Sequence, residues 1–180
     1  MTNKIQYFNY VVYELVEWYK EYFWRDSLID NDLWRLKVSK LLFLLVIKNK
    51  NLVHIFNNFE AYDLWPCEVD ILAAIKENNK ELKYEIWKNK IEQFWIIENV
   101  HSREAEYIKK CVENLKEENK ELIWYTSSVL ADISCNYMCY EIVRYFYHSR
   151  NDDERYLKIT KWTIFNESRQ IFKKCRRKYF

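Results

Sequence analysis

The chain has 180 residues, of which 49% are hydrophobic and 18% aromatic, and its formal net charge is +2. That length suits one ordinary domain with a substantial core, and that composition excludes a disordered chain. Glycine is absent, which argues against phosphate loops, nucleophile elbows and dinucleotide fingerprints, since each needs a backbone turn or approach that a side chain obstructs.

From Asn3 to Trp24, the residues Ile5, Phe8, Val12, Leu15, Tyr19 and Tyr22 recur at intervals of three and four, which predicts an amphipathic first helix. Arg25 to Asn31 is a polar break, and Asn31 or Asp32 is placed to cap a central helix from Leu33 to about Ile47. Leu41 to Ile47 is apolar at every position, so this helix can keep no face in water and belongs at the centre of the core. After a turn over Lys48 to Asn51, the stretch from Leu52 to Tyr62 alternates imperfectly. Its asparagines, its aromatics and the proline that follows favour an extended connection or a small strand pair.

Pro66 is the only proline, and with Glu68 and Asp70 just behind it the pattern predicts a helix beginning at Trp65 or Pro66, running to about Glu77 and stopped by Asn78 and Asn79. Leu82, Tyr84 and Ile86 alternate with charged residues as a strand does, in competition with a helix from Lys80 to Ile97 that would align Trp87, Ile91, Phe94 and Trp95. Ser102, followed by Glu104 and Glu106, is a capping signature for a helix through about Glu118 with Ile108, Cys111, Val112 and Leu115 inward. Beyond the charged junction Glu117 to Glu121, a helix from Thr126 or Ser127 to about Phe146 carries Leu130, Ile133, Tyr137, Tyr140 and Val143 inward. His148 to Arg155 is polar, and a last helix from about Thr163 to Lys174 uses Ile164, Phe165, Ile171 and Phe172. With no internal repeat and no low-complexity linker, residues 1–180 are expected to form a single compact, mainly α domain with a small β element.

Five cysteines (Cys67, Cys111, Cys135, Cys139 and Cys175) form no disulfide framework by their spacing, which suits a reducing compartment. Cys135 and Cys139, four apart on a helix, could hold a metal together with Cys111 or His148. Buried free thiols are the preferred reading, because no CxxC or HExxH accompanies them, so neither metal nor cofactor is expected. No window approaches the roughly 18 to 20 apolar residues that span a bilayer, and Met1 to Ile5 lacks the apolar core of a signal peptide; a cytoplasmic location is expected. Arg169, Lys173, Lys174, Arg176, Arg177 and Lys178 place six cations after Glu167 with no acid among them, so a basic tail over residues 169–180 follows a mildly acidic body. Such a tail suits phosphate or an acidic protein surface, or a solvated helix end.

Three segments carry a resemblance. Leu36-Lys-Val-Ser-Lys-Leu-Leu-Phe43, Phe59-Glu-Ala-Tyr-Asp-Leu-Trp-Pro-Cys-Glu-Val-Asp-Ile71, and Leu130-Ala-Asp-Ile-Ser-Cys135 followed by Tyr140 resemble, in order and spacing, the SocA-like or Panacea antitoxin domain of phage-associated proteins. The chain departs from that pattern at Trp65, where the family has glycine, at Cys135, where it has histidine, and at Tyr140, where it has tryptophan. The resemblance implies a helical domain with a minor β element, carried by phages and mobile elements, that neutralises a cognate toxin by direct binding. Anti-defence inhibitors such as anti-CRISPR proteins need the same property, a rigid surface presenting aromatic and charged side chains to a target. In the second of these segments, Tyr62, Trp65, Glu68 and Asp70 are the candidate partner-binding residues.

Candidate chemistry is thin. Cys135 with His148 and Asp132 is the one loose nucleophile grouping, and nothing marks an oxyanion hole. Arg144 and His148 resemble the arginine and histidine pair of HEPN-type ribonucleases, one residue closer together than that motif usually allows. His54 and His101 have no evident partners in the sequence. Eight tryptophans and fifteen tyrosines invite base stacking beside the basic tail, although Trp18, Trp34, Trp87 and Trp95 fall at helical spacing and suit the core. Three functions follow in order of preference. The first is a non-enzymatic inhibitor of a toxin or of a defence effector such as an RNA-guided nuclease. An RNA-binding module acting through the tail and exposed aromatics comes second, and a ribonuclease last.

Overall fold

The structure, a computed structural model, describes residues 2–24, 28, 31–61, 66–86, 90–93, 97, 101–135 and 157–158. The expected mainly α architecture is what the described residues adopt: helices α1 (Thr2–Phe23), α2 (Arg35–Lys48), α3 (Val69–Lys76), α4 (Arg103–Glu118) and α5 (Ser127–Cys135), with strands β1 (Phe59–Ala61), β2 (Pro66–Glu68), β3 (Tyr84–Ile86), β4 (Ile91–Gln93) and β5 (Leu157–Lys158). Two 3₁₀ turns, Lys50–His54 and Lys120–Ile123, follow α2 and α4.

Helix α2 is the centre of the core. Every residue from Lys37 to Ile47 is buried, and α2 is packed by β2, α4 and α5. The helix begins later than its apolar pattern suggests, and neither Asn31 nor Asp32 caps it. The N-cap is Trp34, which gives no side-chain bond. Asn31 instead acts as a short piece of strand. Its side chain accepts from Leu33 N (3.1 Å) and Ile91 N (3.0 Å) and donates to Leu28 O (2.6 Å) and Ile91 O (2.9 Å), so one buried amide ties the entrance of α2 to β4. Asp32 is taken by the Lys37 ammonium, with Nζ at 2.7 and 2.8 Å from its two oxygens.

The segment after α2 departs from the extended reading as far as Phe56: Leu52 to His54 complete a 3₁₀ turn, and Ile55 N and Phe56 N both donate to Leu52 O. The strand pair then forms as β1 and β2, with Ala61 opposite Pro66 and Phe59 opposite Glu68. The expected helix start at Trp65 or Pro66 is corrected. Pro66 opens strand β2, and α3 starts at Val69 with Glu68 as its N-cap. Physically, β2 lies at an edge of the sheet β2-β1-β5, where a residue lacking N–H is tolerated. The Glu68 carboxylate accepts from Ile71 N at 3.0 Å, satisfying a free donor of the first turn. Phe59 meets Phe43 of α2 edge to face, at 5.4 Å between centroids.

Helix α3 ends where the asparagines stand. Asn78 has φ 49°, Asn78 N donates to Ile75 O and Asn79 N to Ala74 O, which is the Schellman pattern with asparagine in the place usually given to glycine. Tyr84 and Ile86 then form β3, paired with β4 as an antiparallel hairpin, and the competing helix from Lys80 to Ile97 does not form. The Ser102 cap holds, its Oγ accepting from Ala105 N at 3.2 Å, and Ile108, Cys111, Val112 and Leu115 are buried. Leu130 and Ile133 of α5 are also buried. The expected continuation of α5 to Phe146 and the last helix from Thr163 lie outside the described residues.

Helices α1 and α4 lie side by side and run in the same direction. Tyr7 is within electrostatic reach of Glu104 and Tyr107, Glu14 of Lys109 and Glu113, and Glu21 is ion-paired with Lys116. Lys48, at the end of α2, pairs with Glu118, at the end of α4. The carboxyl ends of α1, α2 and α4 therefore converge on one end of the molecule.

Candidate functional site

Of the candidate partner-binding residues, Tyr62 and Trp65 lie outside the described residues. Glu68 and Asp70 come together, with a partner the sequence does not suggest. Lys4 of α1 donates from Nζ to Glu68 Oε1 (2.6 Å), to Asp70 and to Asn57 Oδ1 (3.2 Å). Asn58 N donates to Glu68 Oε1 (3.2 Å), and Asn58 Nδ2 to Asp70 Oδ1 (2.8 Å). Glu68 is 2% exposed, and its two oxygens serve Lys4, Asn58 N and Ile71 N, so it works inside the fold. Asp70 is half-buried.

Burial raises the Glu68 carboxyl above its usual range against the pull of Lys4 and Ile71 N–H, and the nearby Asp70 charge adds to the rise. Burial works to lower Lys4, but the hydrogen bonds it donates to Asp70 and Glu68, with the charges of both, outweigh it and hold the lysine above its ordinary value. The chemistry of the cluster is a tie between the first helix and the β2-to-α3 junction.

Among the described residues no group of three or more His, Cys, Asp or Glu side chains is arranged to hold a metal. Cys67 and Cys111 are buried, and burial pushes the Cys111 thiol up. Tyr107, beside it, is pushed up to about 12, first by burial and then by its bond with Cys111. Buried thiols held protonated are poor nucleophiles and poor ligands. Cys139, Arg144 and His148, and the tail residues Arg169, Lys173, Lys174, Arg176, Arg177 and Lys178, lie outside the described residues. His54, His101 and Asp132 are exposed, Trp18 is buried and Trp34 half-buried.

A feature the sequence reading passed over is an aromatic end. Trp24 is 96% exposed and Trp124 57% exposed. Trp24 follows α1 with φ 53°, a left-handed conformation that is an outlier for a bulky residue. Beneath them, Phe23 packs on Tyr19 and Tyr22 with centroids 4.6 and 5.1 Å apart. Trp124 and Tyr125 lie 6.4 Å apart, and Tyr22 is within electrostatic reach of the Tyr125 phenol. The Glu21 to Lys116 pair holds the two segments together. A signal existed in the positions: each tryptophan comes directly after a helical segment, Trp24 after α1 and Trp124 after the 3₁₀ turn Lys120–Ile123.

Compared with family models, curated proteins and solved structures, the chain matches none. No helix among the described residues is long and apolar enough to cross a membrane.

Proposed function

We propose that this protein is a non-enzymatic inhibitor that neutralises a partner protein by direct binding, in the manner of an antitoxin or of an anti-defence inhibitor acting on an effector such as an RNA-guided nuclease. The observation that carries this reading is the pair of solvent-facing indoles, Trp24 and Trp124, on segments joined by the Glu21 to Lys116 ion pair. Tryptophan is enriched among interface hot spots because a large apolar body gains most when water is excluded. Burying an indole removes on the order of 150–250 Å² from water, worth roughly 4–6 kcal/mol each before ordering costs. The left-handed backbone at Trp24 costs on the order of 1–2 kcal/mol, and strain of this kind clusters at functional sites. Burial pushes the Cys111 thiol up and so makes it a poor nucleophile, which suits a binding role.

The test is capture and inhibition. Purified protein is mixed with each toxin or nuclease encoded beside its gene, and a stable complex that blocks the target's activity is expected. The variant Trp24→Gly with Trp124→Ala should weaken that complex about 100-fold, equivalent to about 2.7 kcal/mol. A full-affinity complex after both substitutions would remove this surface from the reading.

The same exposed indoles support a second reading, an RNA-binding module in which bases stack on tryptophan while Arg169 to Lys178 engage phosphates. Binding of that kind weakens steeply with salt, and salt-independent binding would exclude it.

A further inference from the structure

The aromatic end has an electrostatic character as well as an apolar one. Three helices, α1, α2 and α4, bring their carboxyl ends to it, and the aligned peptide dipoles give each end a partial negative charge of up to roughly half an elementary unit. The exposed carboxylates Glu17, Glu21, Glu117, Glu118 and Glu121 lie on the same end. Of the described lysines there, Lys20 pairs with Glu17, Lys116 with Glu21 and Lys48 with Glu118. Lys120 stands exposed. Glu121 accepts a hydrogen bond from Tyr125 at 3.2 Å, one residue from the Trp124 ring.

We infer that this end docks an arginine-bearing, positively charged protein surface, its guanidinium groups stacking on Trp24 and Trp124 and pairing with Glu121, since Glu21 is held by Lys116. The inference rests on the reading that the indoles bind a protein, and it specifies that protein's chemistry. A planar guanidinium suits the site better than an ammonium, because it covers an indole face while its edge donates to a carboxylate. A nucleic acid suits it worse, since phosphates would meet both the carboxylates and the helix carboxyl poles. The surface complementary to this end is thus of the kind that itself binds nucleic acid, basic and arginine-rich.

The experiment follows the indole N–H signals of the full chain by nuclear magnetic resonance during titration. The probes are three synthetic peptides alternating alanine with arginine, lysine or glutamate, and an oligouridylate. The arginine peptide should shift the Trp24 and Trp124 signals, bind several-fold tighter than the lysine peptide, and lose about tenfold in affinity on Glu121→Gln or on Trp124→Ala. Trp24→Gly removes the ring without asking the backbone to change, and a thermal melt of each variant reports folding. Equal binding of the glutamate peptide, oligouridylate binding at these indoles, or shifts that grow with protein concentration alone would each overturn the inference, the last pointing to self-association. If the tryptophan variants abolish capture of a natural partner while the arginine peptide is ignored, the cationic assignment fails and protein docking stands. If capture survives those variants, the docking reading itself fails.

Discussion

Two lysines show how the same side chain acquires opposite roles. Lys4 bridges Glu68 and Asp70, so Lys4→Met leaves the buried Glu68 carboxylate without its counter-charge and is expected to cost about 2–3 kcal/mol in chemical unfolding. Lys37 is fully buried and its partner Asp32 is half exposed at 51%. Burial, opposed by the Asp32 bond, holds Lys37 below its ordinary value. Replacing Lys37 by methionine frees Asp32 into water and strands no buried charge, so the expected result is a gain of about 1 kcal/mol. Both variants belong in one denaturant series, where equal losses would contradict the assignment. The sequence pattern singled out Glu68 and Asp70 only as first-turn carboxylates and candidate partner-binding residues. It did not find Lys4, because 64 residues separate Lys4 from Glu68 and nothing local links them.

At the scale of elements, the boundaries are set by which polar group reaches an orphan donor or acceptor. Ser102 caps α4 through a bond three residues away, a relation visible in the sequence because it is local. Asn31 joins residue 33 to residue 91, and no local rule reveals that. The substitution Asn31→Ala strips partners from Leu33 N, Ile91 N and Ile91 O together. It is expected to cost about 3 kcal/mol and to raise amide exchange at Ile91 well above that of Ile108; unchanged exchange at Ile91 would contradict the tie. Pro66 illustrates the same limit. Proline followed by acids fits a helix N-terminus, yet pairing with β1 draws Pro66 to Glu68 into a strand and moves the helix start to Val69.

At the scale of the whole molecule, several groups retain their protons more firmly folded than unfolded. Burial raises the Tyr84 and Tyr107 phenols, Tyr107 to about 12, and the carboxylates around Lys4 hold its ammonium charged. The sign is the same for all three. Above the unfolded values of 10.0 for tyrosine and 10.5 for lysine, the unfolded chain releases these protons first, so stability that is full below about pH 10 is lost as pH rises through the folded values. Melting temperature should therefore fall between pH 10 and 12, and Lys4→Met should flatten part of that fall. A flat profile in the parent protein would contradict the burial of these groups.

The sequence by itself determined the helical class, the central place of α2 and the inward faces of α1 and α4, because apolar spacing and an all-apolar run are local properties that only one kind of packing satisfies. Tertiary structure decided what those faces leave over. It set α1 and α4 side by side in one direction, gathered three helix carboxyl ends, and left Trp24 and Trp124 in water beside carboxylates. No periodicity encodes that arrangement, since it depends on the relative direction of helices that are 80 residues apart in the chain.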